Sequence, residues 1–357
     1  MLKYSYMMTL DDLHYNFREI DGYQKPFNFV ISARECGKTT AAWLKIYSNW
    51  KKGKRPWIYL VRTAVEITEA LIESIFDTTI RKFTDDRIEL KYNKGTFKDG
   101  ITDVYLNGEI FIRIVSLSIP LRRIKLAVLK DIGGVLMDEY IIDPKTGEKY
   151  IKNKEEAFKI KEAYSTWRRE ADGILKCYFL GNPYSLFNPL FVDWGVDTGK
   201  LKRGSFYIGD NFIIQWATLH PLLREKLLKE NPLYEFDEDY KGYALDGETK
   251  NDKNIRLGQK PDNFRLKFVF RIAGQIIGVF QNTFFEDPRY FVDYIESYSK
   301  DRTAFAFDFE ELVERTALVG LEERMILQRF KEAFRKRSIL FSCVPVYYYI
   351  EEIYSRL

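Results

Sequence analysis

The chain has 357 residues, 46% hydrophobic and 30% charged, enough for about two globular domains that each bury a core. Its 56 basic and 52 acidic residues leave a formal charge of only +4, which excludes a protein coated in nucleic acid and restricts phosphate contact to local clusters. Three scattered cysteines without a C-x-x-C, two histidines and no apolar run of membrane length argue against a disulfide scaffold, a His/Cys zinc site and a membrane protein. Without a signal-like N-terminus, a cytoplasmic setting is expected.

Residues 27–31 form a short apolar run followed at once by a Gly-Lys-Thr loop and a helical pattern over 41–50. Lys52-Gly53-Lys54-Arg55-Pro56 breaks that helix; 57–61 reads as a buried strand and 65–83 as an amphipathic helix. Strands at 104–106 and 110–115 flank Asn107-Gly108, a strong hairpin signal. An apolar run over 128–137 leads into Asp138-Glu139, a helix is expected at 154–169, and a further strand at 175–180 stops at Gly181-Asn182-Pro183. Strands alternating with helices predict an α/β layer fold with a mostly parallel sheet over 1–205. A short helix at 222–228 and an acidic, weakly periodic stretch over 234–260 predict a helical linker at 206–260. A second, smaller α+β domain is expected at 261–357, opening with strands at 266–272 and 275–280.

Ser32-Ala33-Arg34-Glu35-Cys36-Gly37-Lys38-Thr39 matches the phosphate-binding G-x-x-x-x-G-K-[ST] pattern with serine for the first glycine, between a strand and a helix. Consecutive main-chain amides at a helix N-terminus make an anion-binding concavity, so residues 32–40, through Thr40, are the expected ATP-binding loop. Lys38 is expected to reach the β and γ phosphates, and the Thr39 hydroxyl to ligate Mg²⁺. Val135-Leu136-Met137-Asp138-Glu139 has the form of a Walker B strand, about a hundred residues after the loop. There Asp138 would hold Mg²⁺ and Glu139 would polarise the attacking water, which favours an ATPase over a kinase or a passive nucleotide-binding scaffold. Arg122, Arg123 and Lys125, before that strand, are candidates for contact with DNA or a neighbouring subunit, against the plainer reading of an exposed basic loop.

Arg34 within the loop, the adjacent Asp-Glu pair and a strand ending in Gly181-Asn182 resemble the ATPases of viral DNA-packaging motors, the large terminase family. The likeness is strongest to the compact packaging ATPases of φ29-like phages, through Tyr15-Asn16, the strand Asn28-Phe29-Val30-Ile31 and a loop near residue thirty; it covers roughly residues 15–190. The resemblance implies a P-loop NTPase domain of the ASCE type, Mg·ATP as cofactor, and translocation of double-stranded DNA into a preformed capsid. It also implies a homo-oligomeric ring, expected to be a pentamer, on the capsid portal or connector in the host cytoplasm, with a packaging RNA as a further candidate partner. Carried over by residue, Arg34 would sense the γ-phosphate, Asn182 would couple hydrolysis to movement, and Tyr23 and Gln24 would contact adenine. Arg168 or Arg169 would enter the neighbour's site.

The same resemblance implies an RNase H-like nuclease fold for the second domain. Its first expected hairpin carries no acid where metal-dependent cleavage needs one, and Asp287, Asp293, Asp301 and Asp308 look scattered, so a vestigial nuclease is expected. Such a domain would dock on the capsid and touch nucleic acid, with Arg335, Lys336 and Arg337 as the basic cluster for it. The alternatives are a terminase with an active nuclease and another ring ATPase such as a helicase.

Overall fold

The computed structural model describes residues 12–143, 150–151, 155–186, 188–196, 198–250, 255–272, 274–284, 286–299, 301–306, 312, 316–318 and 325–356. The chain divides into two units, Met1–Lys250 and Asn251–Leu357.

The first unit is built on nine strands: β1 (Phe27–Ser32), β2 (Trp57–Val61), β3 (Leu90–Tyr92), β4 (Ile101–Leu106), β5 (Glu109–Ser116), β6 (Gly134–Met137), β7 (Cys177–Gly181), β8 (Ser205–Ile208) and β9 (Phe212–Ala217). They lie in the order β3-β4-β5-β2-β6-β7-β1-β9-β8. The six central strands, β5 to β9 in that order, are parallel, and antiparallel β3, β4 and β8 finish the edges. Parallel strands covered on both faces read as near-continuous apolar runs, and β1, β2, β6 and β7 are buried at every position. Successive residues feed opposite cores: Phe27, Phe29 and Ile31 pack with Ala157, Ile160 and Trp167 on one side, whereas Val30 packs with Ala42, Trp43 and Ile46 on the other. The Asn107-Gly108 hairpin forms as expected, with positive φ at both residues (51° and 84°).

Three local expectations shift. The helix expected at 65–83 is broken into a 3₁₀ turn, a short helix (Glu69–Ser74), a π turn and a second 3₁₀ turn. Only Gly134–Met137 of the apolar run 128–137 is strand. The helix expected at 154–169 runs over Glu155–Trp167, and Arg168–Glu170 is a 3₁₀ turn.

The linker expected at 206–260 is largely part of the first unit. Strands β8 and β9 complete the sheet, β9 lying directly beside β1. Helices Pro221–Glu230, Leu233–Phe236 and Glu238–Ala244 then bury Leu223, Leu227, Tyr234, Tyr243 and Ala244 against Ala33 and Cys36 of the phosphate loop. The domain therefore ends at Lys250 rather than at 205, because these apolar side chains are consumed by the loop they cover.

The second unit carries β10 (Phe264–Ile272), β11 (Gln275–Asn282), β12 (Tyr290–Tyr294), β13 (Thr303–Ala306), β14 (Thr316–Leu318) and β15 (Ile339–Phe341), in the order β14-β13-β10-β11-β12-β15. Strands β10, β11 and β12 form an antiparallel meander, and β13 and β14 add in parallel beyond β10, which is the RNase H-like arrangement. Phe268, Phe270, Phe305 and Phe330 make an aromatic core between this sheet and the helix Met325–Arg335.

Candidate functional site

The phosphate loop leaves the finishing end of β1 and enters the helix Lys38–Gly53. Gly37, at φ 84°, and Glu35, at φ 58°, take left-handed backbone, which turns the main chain around the loop and which glycine adopts without steric cost. Ser32, in place of the first glycine, is fully buried, and its hydroxyl bonds the Ala33 carbonyl at 3.0 Å and the Cys36 sulfur at 2.7 Å. The serine closes the loop from inside. Glu35 accepts a hydrogen bond from the Tyr234 hydroxyl (2.8 Å), and the Cys36 carbonyl accepts one from the Tyr15 amide (2.8 Å).

Because β7 lies between β1 and β6, the ends of these three strands bring distant residues together. Lys38, only 7% exposed, donates from Nζ to Asn182 Oδ1 at 2.6 Å. The Asp138 carboxyl, at the tip of β6, is hydrogen-bonded by Thr39, feels the Lys38 charge and accepts from the Glu139 amide at 2.9 Å. Burial pushes that carboxyl above its ordinary range, and Lys38, Thr39 and the Glu139 amide oppose the push. Glu139 is exposed and takes a left-handed φ of 53°, so the backbone swings its side chain out of the line of β6. A lysine, a hydroxyl, a carboxylate and an amide oxygen thus meet in one place, with a second carboxylate at its rim.

Several residues that complete the site carry no motif. Arg62, at the end of β2, binds the fully buried Glu156 through Nε and Nη2 at 3.1–3.3 Å and donates to the Tyr140 carbonyl at 3.0 Å, which braces the turn after Asp138. Arg34 donates to the hydroxyls of Tyr184 (2.7 Å) and Tyr243 (3.3 Å). The run 212–217, apolar but for Gln215, was the available signal for β9; Tyr184 and Tyr243 offered none.

Tyr23 and Gln24 do not join this site. They precede β1, whose six residues put them roughly 20 Å from the loop at about 3.3 Å per residue. A strand that starts beside them and ends at the loop forbids contact between them. Arg168 and Arg169 lie at that same end, and with Tyr23, Gln24, Lys25 and Asn211 they line a groove of about 640 Å³. Arg122 and Arg123 are exposed on the helix Leu121–Leu126, while Lys125 is paired with Glu162 at 2.9 Å.

In the second unit, Asp287 is bound by Arg256 (2.7 Å) and Ser338 (2.6 Å), and Asp293 accepts from the Tyr294 amide. Asp308 lies outside the described residues, among which no three His, Cys, Asp or Glu side chains gather as metal ligands. No helix of the described residues is long and apolar enough to cross a membrane.

A phosphate loop and an acidic strand tip, separated in the sheet by one intervening strand, define a P-loop NTPase of the ASCE type. Residues 10–354 match the podovirus DNA encapsidation protein (Gp16) family, and the chain belongs to that family. It is 24% identical over 271 residues to the DNA packaging proteins of Bacillus phages PZA and phi29, covering 75% of this chain and 75% of each relative. Its fold is similar to a chain of the bacteriophage Phi-29 viral genome packaging motor assembly, with a TM-score of 0.70 and 20% identity over 97% of this chain and 99% of that one.

Proposed function

We propose that this packaging protein is an ATPase whose hydrolysis drives double-stranded DNA into a preformed capsid. The observation that carries the proposal is the convergence of Lys38, Thr39, Asp138 and Asn182 at the ends of β1, β6 and β7. The donors fit Mg·ATP: main-chain amides and Lys38 suit phosphate, and the Thr39 hydroxyl beside the Asp138 carboxylate is the hard-oxygen pair that Mg²⁺ prefers. When bound, the metal would neutralise charge on the transferred phosphoryl group. Glu139 orients and polarises water. Arg34 senses the terminal phosphate. Asn182, already holding Lys38, passes the change to the strand between the two motifs.

Arg168 and Arg169 stand at the far end of the sheet from their own loop, so the phosphate they serve would be a neighbouring subunit's, which calls for a ring; a pentamer is our reading. Such fingers contribute about three to five orders of magnitude in rate. Partners in this reading are DNA held by its phosphates, with Arg122 and Arg123 as contacts, the capsid portal or connector in the host cytoplasm, and a packaging RNA. The second unit would be a non-cleaving docking domain, since β10 carries Arg265, Lys267 and Arg271 but no acid.

The test is ATP turnover with purified empty capsids and DNA. Stimulation that needs both, and is lost in Lys38→Ala, supports a packaging motor; stimulation by DNA alone, indifferent to capsids, would point to a helicase-like ATPase instead.

A further inference from the structure

Both cations of the phosphate loop rest on one turn. Lys38 is held by Asn182, and Arg34 Nη2 donates to the hydroxyl of Tyr184 two residues on, within a turn closed by the Tyr184 amide and the Asn182 carbonyl at 2.8 Å. A second hydroxyl, that of Tyr243, receives Arg34 Nε from the helix Glu238–Ala244. The rings of Tyr184 and Tyr243 stack with centroids 5.2 Å apart and 28° between planes. The Arg34 guanidinium lies 6.0 Å and 5.6 Å from their centroids. Lys250 shares the same rings at 5.5 Å and 5.6 Å and is anchored by buried Asp143 at 2.7 Å. The dock is braced from two sides: the rings stack on each other, and the Lys250–Asp143 pair stands beside them.

We propose that Tyr184 and Tyr243 are positioning residues that dock Arg34 in the nucleotide-free chain, so that the 182–184 turn lets go of the loop in two stages. This rests on the reading of the loop as a triphosphate site. Lys38 leaves Asn182 for a phosphate that ADP and ATP share. Arg34 leaves the two hydroxyls only when a third phosphate arrives. A charged phosphate oxygen is a stronger acceptor for guanidinium than a neutral phenol, so the exchange runs toward the phosphate, yet the phenols compete and lower the affinity for triphosphate alone. The turn thereby distinguishes a diphosphate, which frees one anchor, from a triphosphate, which frees both. The chemistry that separates the two ligands is borne by two tyrosines outside any nucleotide motif.

The experiment compares ADP with a non-hydrolysable ATP analogue by calorimetry on the full chain with Mg²⁺. In Tyr184→Phe/Tyr243→Phe, which keeps the ring stack and removes both hydroxyls, analogue affinity should rise about 5- to 10-fold while ADP changes less than about 2-fold. Arg34→Ala should bring the analogue down toward ADP. Equal shifts for the two ligands, or no shift for the analogue, overturn the dock. A wild-type chain that binds neither ligand overturns the nucleotide-site reading itself, before any variant is made. If the double variant does not fold, Tyr184→Phe alone must show the same asymmetry at about 3-fold, and a symmetric or absent effect there is equally decisive against it.

Discussion

Replacing Glu156 with alanine is expected to destabilise the first unit by about 3–5 kcal/mol, the usual consequence of leaving one member of a buried ion pair alone. The structure sets up that case fully. Glu156 is fully buried and takes three contacts from Arg62 at 3.1–3.3 Å, along with the Ile151 amide at 3.2 Å. Arg62 is itself 8% exposed, so without Glu156 its charge keeps the Tyr140 carbonyl, the Tyr150 ring 5.1 Å away and the weaker pull of the Glu66 carboxylate. The Arg62 side chain is only 10% exposed, so water replaces little of what is lost. For a unit of this size each kcal/mol moves the melting temperature by about 2–4 °C, so a fall of roughly 6–20 °C is expected.

The assay has to isolate the right transition, because two units need not melt together. The transition that rises on addition of Mg·ADP belongs to the unit that binds it. Glu156→Ala should lower that transition and leave the other in place. Arg62→Met/Glu156→Leu should be less destabilised than the sum of its single variants, since both buried charges then disappear together. Because Arg62 also grips the carbonyl of Tyr140, one residue past Glu139, turnover should fall more than nucleotide affinity. A change below about 1 kcal/mol in Glu156→Ala, or strict additivity in the double variant, would refute the account.

Three further outcomes are expected. Gly37→Ala forces alanine into φ 84°, which should lower the stability of the fold by about 1–2 kcal/mol and abolish nucleotide binding in calorimetry, because the strain falls on the loop itself. Mixing Lys38→Ala chains with Arg168→Ala/Arg169→Ala chains should restore part of the ATPase rate that neither has alone, and no recovery at any ratio would place the arginines outside the neighbour's site. Asp86, hydrogen-bonded by Lys51, Tyr47 and Thr84, has its carboxyl lowered to about 2. A depressed acid stabilises the fold above its unfolded value and loses that contribution as pH falls through the folded one. The small urea-midpoint gap between wild type and Asp86→Asn should therefore hold at neutral pH and close between about pH 4 and pH 2; a gap indifferent to pH there would contradict it.

Residues of two kinds explain what could be read in advance. Gly37, Lys38, Thr39 and Asp138 belong to patterns whose spacing and setting betray them, and the strands before them, β1 and β6, are buried with no competing pattern. The second unit's hairpin was legible for the same reason. Tyr184 and Tyr243 were not, since a tyrosine that fills a core and one that docks an arginine are the same letter, and only the fold brings Tyr243 to a loop some two hundred positions away. The boundary at 205 was misplaced because the acidic surface of the helices 233–244 masks a buried side made of few residues, chiefly Tyr234, Tyr243 and Ala244. Tyr23 and Gln24 enter as adenine contacts only through the family resemblance, and the six-residue strand β1 separates them from the loop.

The order of the sheet supplies the last step. Neighbouring strands lie about 4.8 Å apart, so with β7 between them the ends of β1 and β6 are roughly 10 Å from each other, too far for the loop and the acidic pair to meet through backbone alone. Lys38 and Thr39 reach across that gap by their side chains, and whatever residue tips β7 must stand among them. Asn182 occupies that tip. It offers Lys38 a neutral acceptor that keeps the lysine ordered without pinning it as a carboxylate would. An aspartate at 182 would hold Lys38 against an incoming phosphate. Asn182→Asp should therefore weaken nucleotide binding by more than Asn182→Ala does, although aspartate is the closer match in shape. The reverse order in calorimetry would mean that the contact at 2.6 Å is a feature of packing, with no part in exchanging the lysine between protein and ligand.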